Sequence, residues 1–358
     1  MFFEEHQAAI ASFVSMSQTL GSRADYVQGG GGNTSVKTGD GSMAIKASGF
    51  CLKDITEKNA YAVLNGDAIR SFYLENDPAR FDDVESAGAA CVKENRIPVE
   101  GMDSFRPSVE AGFHSILKTY VAHTHSVYVN MATCSTACRE IAKEAFAGAD
   151  YLYGWVDYTD PGARLTFAVR DEIRRVQSEQ GKVPAVILMQ NHGIIVHDDD
   201  ADTCVRIHAD ANERLAGAFG VSGNDFPPVS VRETENGMYE ADVPYLREQL
   251  KDCEWSYDFL MKSPLYPDQM VFFADTFYMN EPDIREGTCN ADTTTGRFLL
   301  NTDRKKALVL TETLTAVLYV LSHIRSAGYR VSTMGADAQS FIAGWESEKY
   351  RKSLANRS

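Results

Sequence analysis

A chain of 358 residues with 44% hydrophobic and 24% charged residues has the make-up of a soluble globular protein, long enough for one large domain or two smaller ones. Its formal net charge of −15 excludes a general binder of nucleic acid or of acidic membrane surfaces, since both need a basic face. Seven dispersed cysteines without a CxxC pair, no basic segment before an apolar stretch at the N-terminus, and no apolar run of about 18 residues point to a reduced, cytoplasmic chain with neither signal peptide nor membrane span.

From the N-terminus, apolar residues at helical spacing (Ala8, Ile10, Phe13, Val14, Leu20) predict a helix over 4–20 with Gly21 as its C-cap. A glycine-rich loop at 29–32 leads into strand-like segments at 35–37, 43–47 and 60–64. Asn65-Gly66-Asp67 reads as a tight turn that returns the chain as a hairpin strand over 68–73. Residues 84–96 read as a helix, and Pro107-Ser108 as the start of another running through Val109, Phe113 and Leu117. The apolar run Tyr120-Val121-Ala122 then carries His123-Thr124-His125 at its end. Helices follow to near residue 132 and over 136–147, with Cys134 and Cys138 packed on one helical turn. A charged amphipathic helix spans 163–180, and residues 185–189 form a buried strand. Asn191-His192-Gly193 separates it from a second strand at 194–196, and residues 200–219 read as a helix ending at Gly220. Residues 221–243, with Pro227-Pro228, read as a linker or surface excursion. Beyond them, 245–251 read as helix, 270–279 as strand and 311–327 as amphipathic helix. This mixed order predicts a layered α/β or α+β fold with a C-terminal extension.

Alternate residues of a strand point to one face, so His123 and His125 can converge on one metal ion. Two imidazoles buried on one face need partners, and a shared ligand supplies them better than packing does. His192, directly after an apolar strand, is the best third ligand; three histidines and an open position form the catalytic zinc pattern, whereas structural sites use four protein ligands. Glu110 lies a short connection before the histidine strand and is a candidate general base beside the metal. Taken alone it is better explained as a first-turn acid complementing a helix dipole. His114, one turn on, either orients that site or packs. His6, His197, His208 and His323 show no ligand pattern. The glycine loop before Asn33-Thr34-Ser35 lets backbone approach an anion or hydroxyl, yet it fits neither a Walker loop nor GxGxxG. Lys46-Ala47-Ser48-Gly49 presents a second set of donors.

Taken in order, Gly31-Gly32-Asn33-Thr34-Ser35, Ala47-Ser48-Gly49, Pro107-Ser108-Val109-Glu110, His123-Thr124-His125 and Asn191-His192-Gly193 resemble the class II aldolase/adducin family, over about residues 5–220. The glycine-rich Asn-Thr-Ser-Val-Lys version, together with Pro267-Asp268-Gln269, is similar to the aldolase-like part of bacterial rhamnulose-phosphate aldolase/dehydrogenase-type proteins. The resemblance implies a three-layer α/β/α sandwich with a central, largely antiparallel sheet over residues 1–240, and a C-terminal α+β extension over 241–358 packing on it. It implies homotetramers with sites at subunit interfaces. It further implies a divalent cation on His123, His125 and His192, most often zinc, with Mn2+, Co2+ or Fe2+ as alternatives. Glu110 would be the acid/base. Gly32, Asn33, Ser48, Gly49 and Ser108 would bind a small-molecule sugar or sugar-phosphate substrate.

The implied reaction is carbon–carbon bond cleavage in a hydroxycarbonyl compound through a metal-stabilised enediolate. A decarboxylase or epimerase on the same scaffold would share that intermediate, a non-catalytic adducin-like module would lack the histidines, and a zinc hydrolase would need a pattern such as HExxH. One position departs from the family: where the phosphate-binding aldolases often have a second serine before the glutamate, this chain has Val109, which cannot donate a hydrogen bond. A phosphate would then fall to Lys37, Lys46 or Arg106, or the substrate is not a simple ketose 1-phosphate. Tyr151 and Tyr153 are candidates for the acid-donating tyrosine of some relatives.

Overall fold

The computed structural model describes residues 2–251 and 253–344. Eight strands are β1 (Asn33–Lys37), β2 (Ser42–Lys46), β3 (Tyr61–Asn65), β4 (Arg96–Ile97), β5 (Tyr120–Thr124), β6 (Tyr153–Val156), β7 (Val186–Met189) and β8 (Gly193–Asp198). They make one sheet in the order β4-β3-β2-β1-β5-β8-β7-β6, antiparallel at every pairing except β6–β7. Successive residues of these strands enter two different cores, as the two-residue period of a strand requires. Val36, Ala44, Val63, Ala122, Leu188, Ile194 and Val196 pack with helices Gln7–Gly21, Val127–Thr133 and Ala201–Ala218. Met43, Ile45, Leu64, Val121, Ile187, Met189 and Ile195 pack on the other face with helices Gly66–Glu75, Ala111–Ile116 and Ala163–Gln180. Both faces are covered, so the strands read as continuous apolar runs and the unit is the expected α/β/α sandwich around a largely antiparallel sheet.

A second sheet contains β9 (Val231–Glu233), β10 (Tyr239–Ala241), β11 (Phe277–Met279), β12 (Thr288–Asp292) and β13 (Arg297–Asn301), in the order β11-β12-β13-β10-β9. Helix Arg304–Ser326 joins it to the first unit by packing on helix Val127–Thr133, which directly follows the histidine strand. This helix is long and apolar enough to cross a membrane, but 72% of its apolar window is buried inside the protein, as a core helix requires. Residues of both units belong to one continuous hydrophobic cluster.

Several local expectations are corrected. Asn65-Gly66-Asp67 does not turn a hairpin: the Asn65 side chain accepts from the Ala68 amide and caps helix Gly66–Glu75. Asn serves both roles, and Ile69 and Tyr73, four apart and buried, decide for the helix. Gly21 is not a left-handed cap; the chain continues right-handed at Ser22, and a Cβ at Gly21 would lie 2.5 Å from Leu52 Cβ, so close packing requires the glycine. The helix expected from Pro107 starts at Ala111, with Glu110 as N-cap. Cys134 and Cys138 are buried but lie on either side of the break between helices Val127–Thr133 and Cys138–Ala145. The stretch 221–243 is no linker, since β9 and β10 form a hairpin within it, and residue 240, the expected domain boundary, lies inside β10. The run at 270–279 divides into helix Pro267–Phe273, with proline in its first turn, and β11.

Buried Glu240 on β10 ties the second sheet together through Arg297 of β13 (2.9 Å), Arg232 of β9 (3.1 Å) and Arg247 of helix Pro244–Lys251 (2.8 Å). The hydrogen-bonded Arg297 and Arg232, working against desolvation, hold its carboxyl down at about 2. A carboxyl depressed on folding stabilises above its unfolded pKa, and that contribution disappears as pH falls through the folded value. Glu240→Gln is therefore expected to lower stability at pH 7 by about 2 kcal/mol in urea denaturation. It should also flatten the decline in stability between about pH 4.5 and pH 2; an unchanged acid profile would remove Glu240 from this role.

Candidate metal centre

The end of β5 is held in a narrow slot that only small neighbours permit. Asn33 of β1 pairs opposite His123, and Gly32 before it has φ +61°; a Cβ there would sit 2.5 Å from the His123 carbonyl oxygen. On the other side, a Cβ at Gly193 would sit 2.2 Å from the Thr124 carbonyl oxygen. Thr124 turns to the first face, where its hydroxyl meets His208 Nε2 at 2.8 Å. His123 turns to the opposite face, edge-on to Phe113, and His125 converges on it just beyond the strand end. His192 arrives on the tight β7–β8 turn, which Asn191 makes at φ +51°. The Asn191 amide is anchored to the carbonyls of Leu265 and Ser332, each at 2.9 Å.

The three imidazoles form a near-equilateral group, with ring centroids 4.8 to 5.0 Å apart and one ligand nitrogen from each within 4.8 Å of the others. His123 Nδ1 meets the Ile194 carbonyl oxygen at 2.9 Å, and His125 Nδ1 meets Asp268 Oδ2 at 2.6 Å. A carbonyl can only accept, and an ionised carboxylate likewise, so both Nδ1 atoms carry the proton, and in the neutral rings both Nε2 atoms present lone pairs. Those two Nε2 atoms face each other across 3.0 Å. Two neutral rings would repel at that separation; a divalent cation against both lone pairs relieves it, as would a proton added to His125, and the donor set is one that fits a metal. Burial pushes the His123 imidazolium down to about 4, and burial with its histidine neighbours pushes His192 well below its usual value. Neutral imidazole is the metal-binding form. Glu110 completes the group, with Oε2 3.5 Å from His123 Nε2 and Oε1 3.4 Å from His192 Nε2. Glu110 Oε1 and His192 Nδ1 are buried with no hydrogen-bond partner among the described residues.

Glu110 is the N-cap of helix Ala111–Ile116, but its side chain makes no capping bond and turns back to the histidines. Asn33 Nδ2 donates to Glu110 Oε2 at 2.6 Å and to Ser108 Oγ at 3.1 Å. With its amide thus committed, Asn33 Oδ1 accepts from His114 Nε2, while the Ser35 hydroxyl donates to His114 Nδ1 at 2.7 Å. His114 therefore orients the site through Asn33. A narrow cavity opens here, walled by Gly32, Asn33, Lys46, Ser48, Ser108, Val109, Glu110, His125 and His192 from the first unit and by Pro267, Asp268 and Val271 from the second. Gly49 is not among its walls; its φ of +91° makes the bend after Ser48. Ser48 Oγ is buried and has no hydrogen-bond partner among the described residues.

Of the three cations considered for a phosphate, Lys46 reaches the cavity, its ammonium held by the carbonyls of Gly30 and Phe50. Lys37 does not: it is bonded to the Lys118 carbonyl at the other end of β1. Arg106 is also outside the walls. Tyr151 is bonded to Asp210 and Tyr153 stacks on Phe146, both away from the cavity. Asp268 is the site residue that sequence reasoning missed; its Pro-Asp-Gln setting was visible, but nothing local links it to His125. A larger cavity of about 470 Å³ lies elsewhere, among residues 21–29, 223–229 and Glu312, and its Arg23 and Glu312 are committed to Asp25 and the Gly29 amide. Asn33→Ala would leave the buried His114 donor and one Glu110 oxygen unpaired. It is expected to cost about 2–4 kcal/mol in urea denaturation, and a cost near zero would mean that this chain of hydrogen bonds does not hold the site.

Residues 11–217 match the family model of the Class II Aldolase and Adducin N-terminal domain. An uncharacterized oxidoreductase of Bacillus subtilis, YuxG, is 24% identical over 204 residues, which is 54% of this chain and only 27% of that protein. The chain thus matches about a quarter of the length of this curated relative. Among solved structures, the N-terminal class II aldolase domain of a conserved Thermoplasma acidophilum protein is 24% identical, with a TM-score of 0.47 over 59% of this chain and 93% of that one. YgbL of Klebsiella pneumoniae, whose assignment is left open among aldolase, epimerase and decarboxylase, is 18% identical, with a TM-score of 0.41 over 62% of this chain and 92% of that one. With its family match covering more than half of the residues, the chain belongs to the class II aldolase and adducin family.

Proposed function

We propose that this protein is a metal-dependent carbon–carbon lyase that cleaves a sugar phosphate or a related hydroxycarbonyl compound. The single observation that carries the reading is the buried His123, His125 and His192 group with the Glu110 carboxylate against it. A non-catalytic module has no use for three buried imidazoles and a carboxylate in one place, where each polar group costs desolvation. A divalent cation on the three histidines, zinc by preference, would supply a Lewis acid to polarise a carbonyl. The chain's own residues do the rest. Asn33 holds Glu110 by one oxygen and leaves the other without a hydrogen bond, free to take or return a proton at the substrate carbon. Ser48 and Ser108 offer hydroxyls to the substrate's oxygens, and Gly32 lets it approach the backbone. Lys46 faces an anionic group and takes over from the serine replaced by Val109. Pro161, Pro267 and Val271 narrow the cavity and keep water out. The same residues would serve a decarboxylase or epimerase, so the choice lies with the substrate.

In this reading the chain divides near residue 220, into a class II aldolase unit and an α+β region that covers its site. It works as a cytoplasmic homotetramer on a small molecule.

Purified protein is expected to retain a divalent metal, and His192→Ala to lose most of it by elemental analysis. Glu110→Gln should keep the metal and lower turnover by about 100-fold or more, the usual size of a general acid–base contribution; unchanged turnover would take Glu110 out of the mechanism. Screening ketose 1-phosphates and 3-oxo acid phosphates separates the reactions: a triose phosphate product marks the lyase, and carbon dioxide would replace it with the decarboxylase. Protein that neither contains nor takes up zinc or manganese would overturn the enzyme reading.

A further inference from the structure

We propose that Asp268, contributed by the C-terminal region and outside the residues matched to the family, is a positioning residue of the metal centre. This inference rests on the metal-binding reading of the three histidines. Asp268 Oδ2 lies 2.6 Å from His125 Nδ1, and both side chains are buried, at 3% and 7% exposure. The carboxylate holds the proton on Nδ1, so that Nε2 faces His123. His123 has a neutral counterpart in the Ile194 carbonyl and His192 Nδ1 has no hydrogen-bond partner among the described residues, so among those residues Asp268 is the carboxylate hydrogen-bonded behind a ligand. A carboxylate in that position fixes the ring and raises the basicity of the ligating nitrogen.

Two further observations tie this contact to the C-terminal segment as a unit. Gln269 bridges its own segment, accepting from the Leu265 amide at 2.8 Å and donating to the Leu260 carbonyl at 2.6 Å. The Leu265 carbonyl in turn receives the Asn191 amide, which sets the turn bearing His192. One short stretch thus supports two of the three histidines. Gly31 is the second observation: a Cβ there would lie 2.3 Å from Asp268 Oδ2 and 3.1 Å from His125 Nδ1. The glycine loop therefore leaves the space through which this carboxylate reaches its histidine. The carboxylate behind His125 comes from the C-terminal region, so metal affinity becomes a property of both parts of the chain.

The test uses the whole 358-residue chain, stripped of metal and titrated with Zn2+ against a chromophoric chelator. Asp268→Ala is expected to weaken zinc binding by about 10- to 100-fold, the usual effect of losing a carboxylate behind a histidine ligand. Asp268→Asn keeps an acceptor for Nδ1–H without the charge and should recover part of that loss, with an unchanged thermal midpoint. Gly31→Ala, which displaces the carboxylate without altering it, should weaken binding as Asp268→Ala does; it also serves if Asp268→Ala does not fold. If wild type binds zinc and both Asp268→Asn and Gly31→Ala bind it within about twofold of wild type, far below the expected loss, Asp268 has no positioning role and the metal reading stands. If wild type binds no zinc, the metal reading fails and this inference with it.

Discussion

Two imidazole nitrogens that face each other across 3.0 Å, each with its proton committed behind it, are the constraint around which this molecule is built. With both rings neutral, no arrangement of hydrogens satisfies both while the Ile194 carbonyl and Asp268 carboxylate hold the Nδ1 positions; a positive charge, from a metal ion or an extra proton on His125, is needed between them. Such a pair persists in a core only because the surroundings over-determine it. β1 and β8 fix the strand from both sides, and the glycines at 32 and 193 allow the approach. The turn at Asn191 delivers the third imidazole, and burial keeps His123 and His192 neutral. The sheet is a frame for a cluster that would be costly without a cation.

Outward from that cluster runs a chain of polar groups with a fixed direction of donation. Ser35 donates to His114, His114 to Asn33 and Asn33 to Glu110, so that one carboxylate oxygen is held and the other is left over. Elsewhere in the fold, buried polar groups are mostly closed off, as with the Ser17 and Thr34 hydroxyls on each other or the three arginines on Glu240. Of the seven buried side-chain atoms without a hydrogen-bond partner among the described residues, three, Glu110 Oε1, His192 Nδ1 and Ser48 Oγ, belong to residues that line one cavity. Unpaired polar atoms concentrated in one place are where a protein has something to bind.

Much of the frame was legible along the chain. Strands buried on both faces are short apolar runs, and the helices over 84–94, 163–180 and 201–218 follow from their spacing and from caps such as Asp83 and Asp200. The misreadings have common causes. Asn65 and Gly66 suit a turn and a helix start alike, and the packing of Ile69 and Tyr73 settles which. Strands of three residues, such as β9 and β10, are too short to express a period and exist through their partners in the sheet. The glycines at 21 and 66 are small because a neighbour is near, which has no local signature.

The sequence by itself determined which chemistry was available: the alternation of His123 and His125 on one strand, a third histidine in a tight turn after another, a glutamate opening the preceding helix, and a glycine loop ahead of Asn33. These are short-range patterns whose geometry the backbone imposes. Only the tertiary structure decided which cation and which acid belong to the site. Lys37 and Lys46 are both strand lysines, yet only Lys46 reaches the cavity. Asp268 is separated from His125 by 143 residues and meets it because helix Arg304–Ser326 and the second sheet dock the C-terminal region over the end of β5. Contacts of that span depend on how packed units meet, and no local period or propensity encodes them.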